Sequence, residues 1–201
     1  MKAAVEKFLT LALGAAGLIA IGASVASAQT TDVYKLNYFA NNTNYEAPDA
    51  TVRIDNPGLT YGTLCAMIYV FDADQQMTEC CGCRETQNGL RTLSVRNDLT
   101  SNPLTGTVSD TGVIKIVSAT LNNGTGCNPT GNPTSVTPTK NLRAWATHVQ
   151  DPPAGPYTIT ETEFTDSPLG AAELSNLQAQ CYFTLFVLGS GQGFCSCGTG
   201  D

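Results

Sequence analysis

Eight cysteines in a chain of 201 residues constrain the fold more than any other feature of this sequence. They all lie beyond residue 64, and an even number of cysteines in an exported chain predicts a disulfide framework. Four bridges among eight cysteines allow roughly a hundred connectivities, so the spacing alone does not assign the pairs. The predicted disulfide residues are Cys65, Cys80, Cys81, Cys83, Cys127, Cys181, Cys195 and Cys197.

The N-terminus has the three parts of a cleavable secretory signal. Lys2 and Lys7 supply positive charge, residues 8–25 are apolar and uncharged, and Ala26-Ser27-Ala28 offers the small side chains of a cleavage site. We therefore predict that residues 1–28 are a signal peptide and that residues 29–201 form one extracytoplasmic domain, secreted or held at the cell surface. An uncleaved N-terminal anchor is the alternative, because the apolar run approaches the length of a membrane helix.

The chain is acidic, with 10 basic residues, 17 acidic residues and a formal net charge of −7. Removal of the leader, which contains Lys2, Lys7 and Glu6, makes the remainder one unit more negative. Such a chain has no electrostatic attraction for nucleic acid or for anionic lipid. We therefore expect no nucleic-acid partner, and no membrane association after the signal is cleaved.

Short apolar or alternating runs, separated by turn residues, predict about seven strands. These runs are residues 32–39, 51–54, 64–71, 90–95, 113–121, 142–150 and 157–164. The run 64–71 (LCAMIYVF) is apolar on both faces and predicts a central strand buried on both sides. Asn88-Gly89 predicts a hairpin that leads into the strand 90–95, and Asp110-Thr111-Gly112 predicts a second hairpin between residues 107–108 and 113–121.

One late segment has helical character. Ser167 is a candidate N-cap with Pro168 at the first helical position, and leucines and Cys181 then recur at helical spacing as far as Leu188. A terminal strand over residues 182–188 is the alternative for the end of this segment. The predicted fold class is a mainly β, immunoglobulin-like β-sandwich with one late helix, stapled by disulfides, and a partly open barrel is the second choice.

Three segments are predicted to lie outside the core. Residues 29–50 are a candidate N-terminal arm, residues 122–141 are a surface loop rich in Thr, Pro, Asn and Gly, and residues 189–201 are a Cys-containing tail. The simplest pairing joins the tail cysteines to the cluster at residues 80–83. Glycosylation sequons begin at Asn41 and Asn123, on predicted loops, so both asparagines are candidate glycosylation sites.

The cysteine cluster and the tail also suggest a metal site, because thiolates at this density bind zinc or copper(I). Structural zinc sites use C-x₂₋₄-C spacing, which only the pair Cys80 and Cys83 meets, without a second such pair. Export to an oxidising compartment favours disulfides over thiolate ligands. We therefore expect no metal and no cofactor, with a metal-binding cysteine cluster as the third interpretation.

The residues with catalytic potential do not form a recognisable motif. His148 is the only histidine and no G-x-S-x-G elbow is present, while Glu161 and Glu163 project from one face of a predicted strand. Paired acids can act on a glycosidic bond, but they are much commoner on exposed edge strands. The sequence therefore predicts a protein that is not an enzyme.

The runs LCAMIYVFDADQQMTECCGC, NGLRTLSV and GSGQGFCSCG resemble cysteine-containing exported proteins of environmental bacteria. These proteins have no established activity, so the resemblance implies a compartment and a scaffold and carries over no functional residue. At fold level the chain also looks like β-sandwich surface proteins.

We expect a non-catalytic structural or interaction protein of the cell surface, with itself as partner. One form is the subunit of an extracellular fibre assembled by strand addition through residues 29–47. The alternative is a secreted polysaccharide-binding module that uses exposed aromatic residues such as Tyr34, Tyr38 or Trp145.

Overall fold

The computed structural model describes residues 32–40, 46–59, 62–101, 109–121, 126–131, 137–150, 155–188 and 193–198. The predicted signal peptide, both candidate glycosylation sites (Asn41 and Asn123) and the predicted hairpin strand 107–108 lie outside these ranges. Among the residues described, no helix is both long enough and apolar enough to cross a bilayer.

Nine strands in the described ranges form two antiparallel sheets. They are β1 (Tyr34–Ala40), β2 (Thr51–Asp55), β3 (Leu64–Asp72), β4 (Met77–Glu85), β5 (Leu90–Ser94), β6 (Thr111–Thr120), β7 (Arg143–Gln150), β8 (Thr158–Glu163) and β9 (Thr165–Ser167). Sheet A has the order β4-β3-β6-β1-β9 and sheet B the order β5-β2-β7-β8. The mainly β architecture with one late helix is thus confirmed, whereas the immunoglobulin-like topology stays a prediction.

Strand β3 is buried on both faces, as its uninterrupted apolar run predicted. Leu64, Ile68 and Val70 point into the core between the two sheets. Met67 and Tyr69 point the other way, into a second core between sheet A and a helix. The molecule therefore has three layers, with sheet A in the middle.

The helical layer consists of α1 (Ala171–Tyr182) and a continuing π-helical turn, Phe183–Leu188. Leu177 and Leu185 are buried against sheet A. The helical interpretation of this segment is confirmed, but its predicted start is wrong. Ser167 ends β9, where it pairs with Tyr34, and the helix begins only at Ala171. Pairing with β1 therefore overrides the local N-cap signal of Ser167 and Pro168.

The predicted hairpin at Asn88-Gly89 is a turn between the two sheets. Strand β4 belongs to sheet A, whereas β5 belongs to sheet B and pairs with β2. Asn88 has a φ of 60°, and its backbone N–H donates to the carbonyl oxygen of Asn56 at 2.8 Å. Asn-Gly favours a reversal of the chain, but it does not select the strand that pairs afterwards.

The position of β1 contradicts the prediction of an N-terminal arm, and the start of β6 contradicts the prediction of a turn at residues 110–112. Residues Tyr34–Ala40 lie inside sheet A, paired with β6 on one side and with β9 on the other. Residues 34–40 of the predicted N-terminal arm are therefore an internal strand of their own domain. Strand β6 begins at Thr111 and pairs with β1 and β3, so two of the three predicted turn residues, Thr111 and Gly112, are strand residues.

The described residues of the C-terminal tail, 193–198, lie beside β4 at the edge of sheet A. The backbone N–H of Cys80 donates to the carbonyl oxygen of Gly193 at 2.9 Å, and that of Cys195 donates to the carbonyl oxygen of Cys80 at 3.3 Å. The pairing between Cys80 and Phe194 is parallel. Native sheets protect exposed edges in this way because an uncovered edge pairs with other chains.

The described residues 126–131 of the predicted surface loop 122–141 lie against the face of β4 that also carries the side chain of Cys80. A Cβ atom on Gly82 would overlap the backbone carbonyl of Cys127, so the loop can approach this closely only because residue 82 is glycine. The hydroxyl of buried Tyr69 donates to the carbonyl oxygen of Pro129 at 2.9 Å, which ties the described part of the loop to β3.

Candidate functional site

All eight cysteines form disulfides, and three of the four bridges begin on β4. The pairs are Cys65–Cys127, Cys80–Cys181, Cys81–Cys195 and Cys83–Cys197. Successive residues of a strand face opposite sides. Cys80 therefore bonds to Cys181 of the helix, on the face of sheet A that the helix covers. Cys81 bonds to Cys195 of the tail, on the face that looks toward sheet B. The predicted connection between the tail and the cluster is present, and the structure resolves the register that the sequence left open.

The sulfur atoms of Cys81, Cys83 and Cys197 lie within 4.8 Å of one another, and those of Cys81 and Cys83 are 3.9 Å apart. This proximity is what a thiolate metal site would require. In this structure each of these sulfur atoms belongs to a disulfide, so none is a thiolate. The cluster acts as a covalent clamp on the tail.

The first candidate site is a groove at the point where the chain passes from sheet B to sheet A, between β8 and β9. Strand β8 pairs with β7 in sheet B, and β9 pairs with β1 in sheet A. The opening between them has a volume of about 520 Å³. Its lining residues are Leu36, Asn37, Tyr38, Val113, Thr162, Glu163, Thr165, Asp166 and Ser167.

Tyr38 lines this groove, and the buried ring of His148 lies behind it. Their rings are stacked, with centroids 4.0 Å apart and an interplanar angle of 13°. His148 is fully buried, and its Nε2 lies 2.7 Å from Oγ1 of Thr162 in a hydrogen bond. The amide of Asn37 donates to the same hydroxyl at 3.0 Å. A chain of hydrogen bonds therefore fixes the imidazole on which the tyrosine ring rests.

Burial lowers the pKa of His148. Within the described ranges its Nδ1 has no hydrogen-bond partner, so a proton on this nitrogen would be a buried donor without an acceptor. The imidazole is therefore neutral at physiological pH, and it supports Tyr38 as an uncharged surface.

We expect the free energy of unfolding to fall as the pH drops below about 6.5, the ordinary pKa of histidine. In that range the unfolded chain binds a proton at His148 that the folded chain does not, which lowers stability by at most about 1.4 kcal/mol per pH unit. Denaturant melts between about pH 7.5 and pH 5 should show this slope, and His148→Gln should remove it. Parallel curves for the two proteins would contradict the assignment.

The other aromatic residues predicted to bind polysaccharide do not share this groove. Tyr34 is buried, and its hydroxyl donates to Oε1 of Glu173 at 2.7 Å. Burial and this bond raise the pKa of Tyr34, while a hydrogen bond from Lys115 lowers the pKa of Glu173. The prediction that Tyr34 is exposed is thus wrong. Trp145 is half-buried on β7.

The two strand carboxylates, Glu161 and Glu163, are exposed on β8, as predicted. Oε2 of Glu161 accepts from the guanidinium of Arg53 at 2.6 Å. Exposed pairs of this kind contribute little to stability. Glu163 lines the groove.

The second candidate site is an apolar patch at the end of the helical layer, which we define as Tyr182, Phe183, Phe186, Val187 and Leu188. These side chains are between 44% and 62% exposed. The rings of Tyr182 and Phe186 are in contact, with centroids 5.1 Å apart. Neighbouring apolar side chains with this exposure make the patch a candidate contact surface.

This patch was missed at the sequence level, although a signal for it was present. Residues 182–188 are apolar apart from Thr184. A helix that is apolar all round must expose part of that surface unless a second layer covers it. Only Thr184 and Leu185 of the π-helical turn are buried here, so the remaining side chains face outward.

Comparison of the chain with protein-family models, curated proteins and solved structures finds no match.

Proposed function

We propose that this is a non-catalytic structural or interaction protein, exported to the cell surface, that associates with copies of itself through the apolar patch. The observation that carries the proposal is the exposure of the five large apolar side chains of the patch on a helix that is covalently anchored. The disulfide between Cys80 and Cys181 and the buried Leu177 and Leu185 hold this helix on sheet A. A preformed surface loses little conformational entropy when it binds.

The charge distribution supports a second copy as the occupant. The chain is acidic overall, so copies repel one another across most of their surface. Residues 179–188 contain no charged side chain. Two copies that meet through this segment therefore bury apolar area without placing like charges against each other, and a two-fold contact of this kind uses the same patch on both partners.

The structure favours this mode over strand addition through the N-terminal arm. Strand β1 already has a partner on each side, so it would first have to leave its own sheet. Strand β8 is an edge of sheet B with all six residues exposed, but Glu161 and Glu163 lie on it. Charged side chains on an edge strand oppose pairing with another chain.

The remaining features support a non-catalytic protein outside the cytoplasm. Four disulfides are consistent with maturation in an oxidising compartment. The single imidazole is fully buried and hydrogen-bonded to a threonine, a position that suits a structural role.

Sedimentation of the disulfide-bonded domain across a range of concentrations tests the proposal. We expect reversible association, weakened at least about tenfold by Phe186→Ser or Leu188→Ser, because a buried apolar anchor contributes on the order of 2 kcal/mol to an interface. Leu90→Ser is the matched control, since Leu90 is 63% exposed on β5 in sheet B and should not affect association.

A chain that stays monomeric at every concentration would overturn the proposal. Binding of such a monomer to vesicles of zwitterionic lipid would instead identify a lipid surface as the occupant of the patch. Electron microscopy of the associated material then distinguishes closed dimers from fibres, since one self-complementary contact closes on itself and a fibre requires a second contact.

A further inference from the structure

The groove between β1 and the β8–β9 segment has the properties of a preorganised aromatic platform. One face of the Tyr38 ring lies against His148, yet half of the Tyr38 side chain is exposed. The exposed area therefore belongs to the opposite face and the edge of the ring. Because His148 is fully buried and bonded to Thr162, the platform cannot tilt freely.

The polar groups that line the groove are uncharged donors and acceptors together with two carboxylates. Asn37 and Thr162 lie beside the ring and already bond to each other, and Thr165 and Ser167 add two further hydroxyl groups along β9. An exposed tyrosine face combined with amide and hydroxyl groups suits a ligand that is apolar on one face and carries hydroxyl groups at its rim.

We propose that this groove binds a sugar ring of a neutral polysaccharide, with the C–H face of the ring stacked on Tyr38. A pyranose ring has this combination of an apolar C–H face and a rim of hydroxyl groups. The groove volume of about 520 Å³ falls within the range of small-molecule sites, roughly 300 to 1,000 Å³, so it accommodates a short stretch of polysaccharide.

The charges at the rim select against acidic polysaccharides. The groove is lined by the carboxylates of Glu163 and Asp166. Asp166 is bridged at 2.5 Å by Nζ of Lys35, a side chain that is only 5% exposed and that also contacts Asp32. The ammonium group is thus occupied behind the rim, while the exposed carboxylates repel a uronic acid or a sulfated sugar. Binding at this site is non-covalent and uses only side chains of this chain.

The test measures retention of the disulfide-bonded domain on three insoluble neutral polysaccharides, cellulose, chitin and a β-1,3-glucan, with affinity electrophoresis in soluble neutral glucans alongside. We expect wild-type protein to be retained by at least one of them. Tyr38→Ala should weaken binding at least tenfold, because it removes a stacking face worth on the order of 1.4 kcal/mol or more. Tyr38→Phe keeps the ring and should stay within about threefold of wild type.

Phe194→Ala is the matched control, an exposed aromatic residue of the tail that lies in neither the groove nor the apolar patch. It should leave retention unchanged. Lack of retention on every neutral polysaccharide, equal retention of Tyr38→Ala, or stronger binding to polygalacturonate than to neutral glucans would each overturn the proposal. Because Tyr38 is half exposed, its variants should fold, and a circular-dichroism melt verifies this. Self-association is scored separately by sedimentation, so either proposal can fail alone.

Discussion

Replacing Arg91 with methionine is expected to lower the free energy of unfolding by about 3–5 kcal/mol, the typical cost of breaking a buried ion pair by removing one partner. Nε of Arg91 donates to Oε1 of Glu85 at 2.8 Å, and both side chains are less than 10% exposed, at 7% and 3%. The guanidinium also donates to the carbonyl oxygens of Arg84 and Cys197. The Arg91 side chain therefore connects the start of β5 to the end of β4 and to the tail.

The chain contains a matched exposed pair that serves as the control. Nη1 of Arg53 bonds to Oε2 of Glu161 at 2.6 Å, but these side chains are 41% and 44% exposed. Arg53→Met should therefore cost no more than about 1 kcal/mol. Urea or guanidinium melts of the two variants measure the difference. Equal losses of unfolding free energy in the two variants would contradict the expectation that burial makes the Arg91 pair more important. The double variant Arg91→Met/Glu85→Leu should recover part of the loss, because it leaves no unpaired buried charge.

The second large effect is expected when both tail disulfides are removed together. A variant with alanine at Cys81, Cys83, Cys195 and Cys197 should lose about 3 kcal/mol or more of unfolding free energy. Cys80–Cys181 remains, and it already brings residue 181 next to residue 81. The tail bridges then close an effective loop of roughly 15 residues, for which the chain-entropy cost is about 3 kcal/mol.

The two tail bridges should be strongly non-additive. Cys81–Cys195 and Cys83–Cys197 both span 114 residues and close nearly the same loop. Once one of them is present, the other restricts only a few additional residues. Removing either pair alone should therefore cost only about 1 kcal/mol, mostly from lost packing, well below half of the combined loss.

Chemical denaturation of the two double variants and the quadruple variant measures this coupling. The pair Cys65–Cys127 is the control, because it closes a different loop of 62 residues and its removal should add to the loss of either tail bridge. Equal and additive costs for the two tail bridges would contradict the shared-loop explanation. The quadruple variant should also aggregate more readily, since the tail no longer covers the edge of β4.

Several elements of the fold could be predicted because their cause is local. The run 64–71 has too few polar residues to expose either face, and it forms the doubly buried β3. The helical spacing that includes Leu177, Cys181 and Leu185 places these residues on one buried face. The connection from the tail to the cysteine cluster at residues 80–83 was also predicted, as the simplest pairing, but no strand was predicted over residues 77–85, where β4 lies.

Other elements depended on competition between distant segments. Asn88-Gly89 reverses the chain, but β5 then pairs with β2 and not with β4. The edge of β4 is occupied by the tail instead. Ser167 and Pro168 have the composition of a helix start, but the backbone of Ser167 pairs with Tyr34 of β1 instead. The helix therefore begins later, at Ala171. The internal position of β1 follows from the availability of β6 and β9, which no local pattern in residues 29–50 reveals.

The two candidate sites show the same division. Exposure of the apolar patch follows from the position of the helix on sheet A, and the Tyr38 platform requires His148, which is 110 positions away along the chain, to lie behind it.

Residue types and short spacings were enough to give the acidic charge and to predict the disulfide chemistry and the mainly β architecture, which the structure confirms. The export signal stays a prediction from the same kind of local pattern. The pairing of the strands, the connectivity of the cysteines and the exposure of the aromatic rings could be read only from the folded structure. These outcomes depend on contacts between segments far apart in the chain, where burial and backbone hydrogen bonding outweigh local preference.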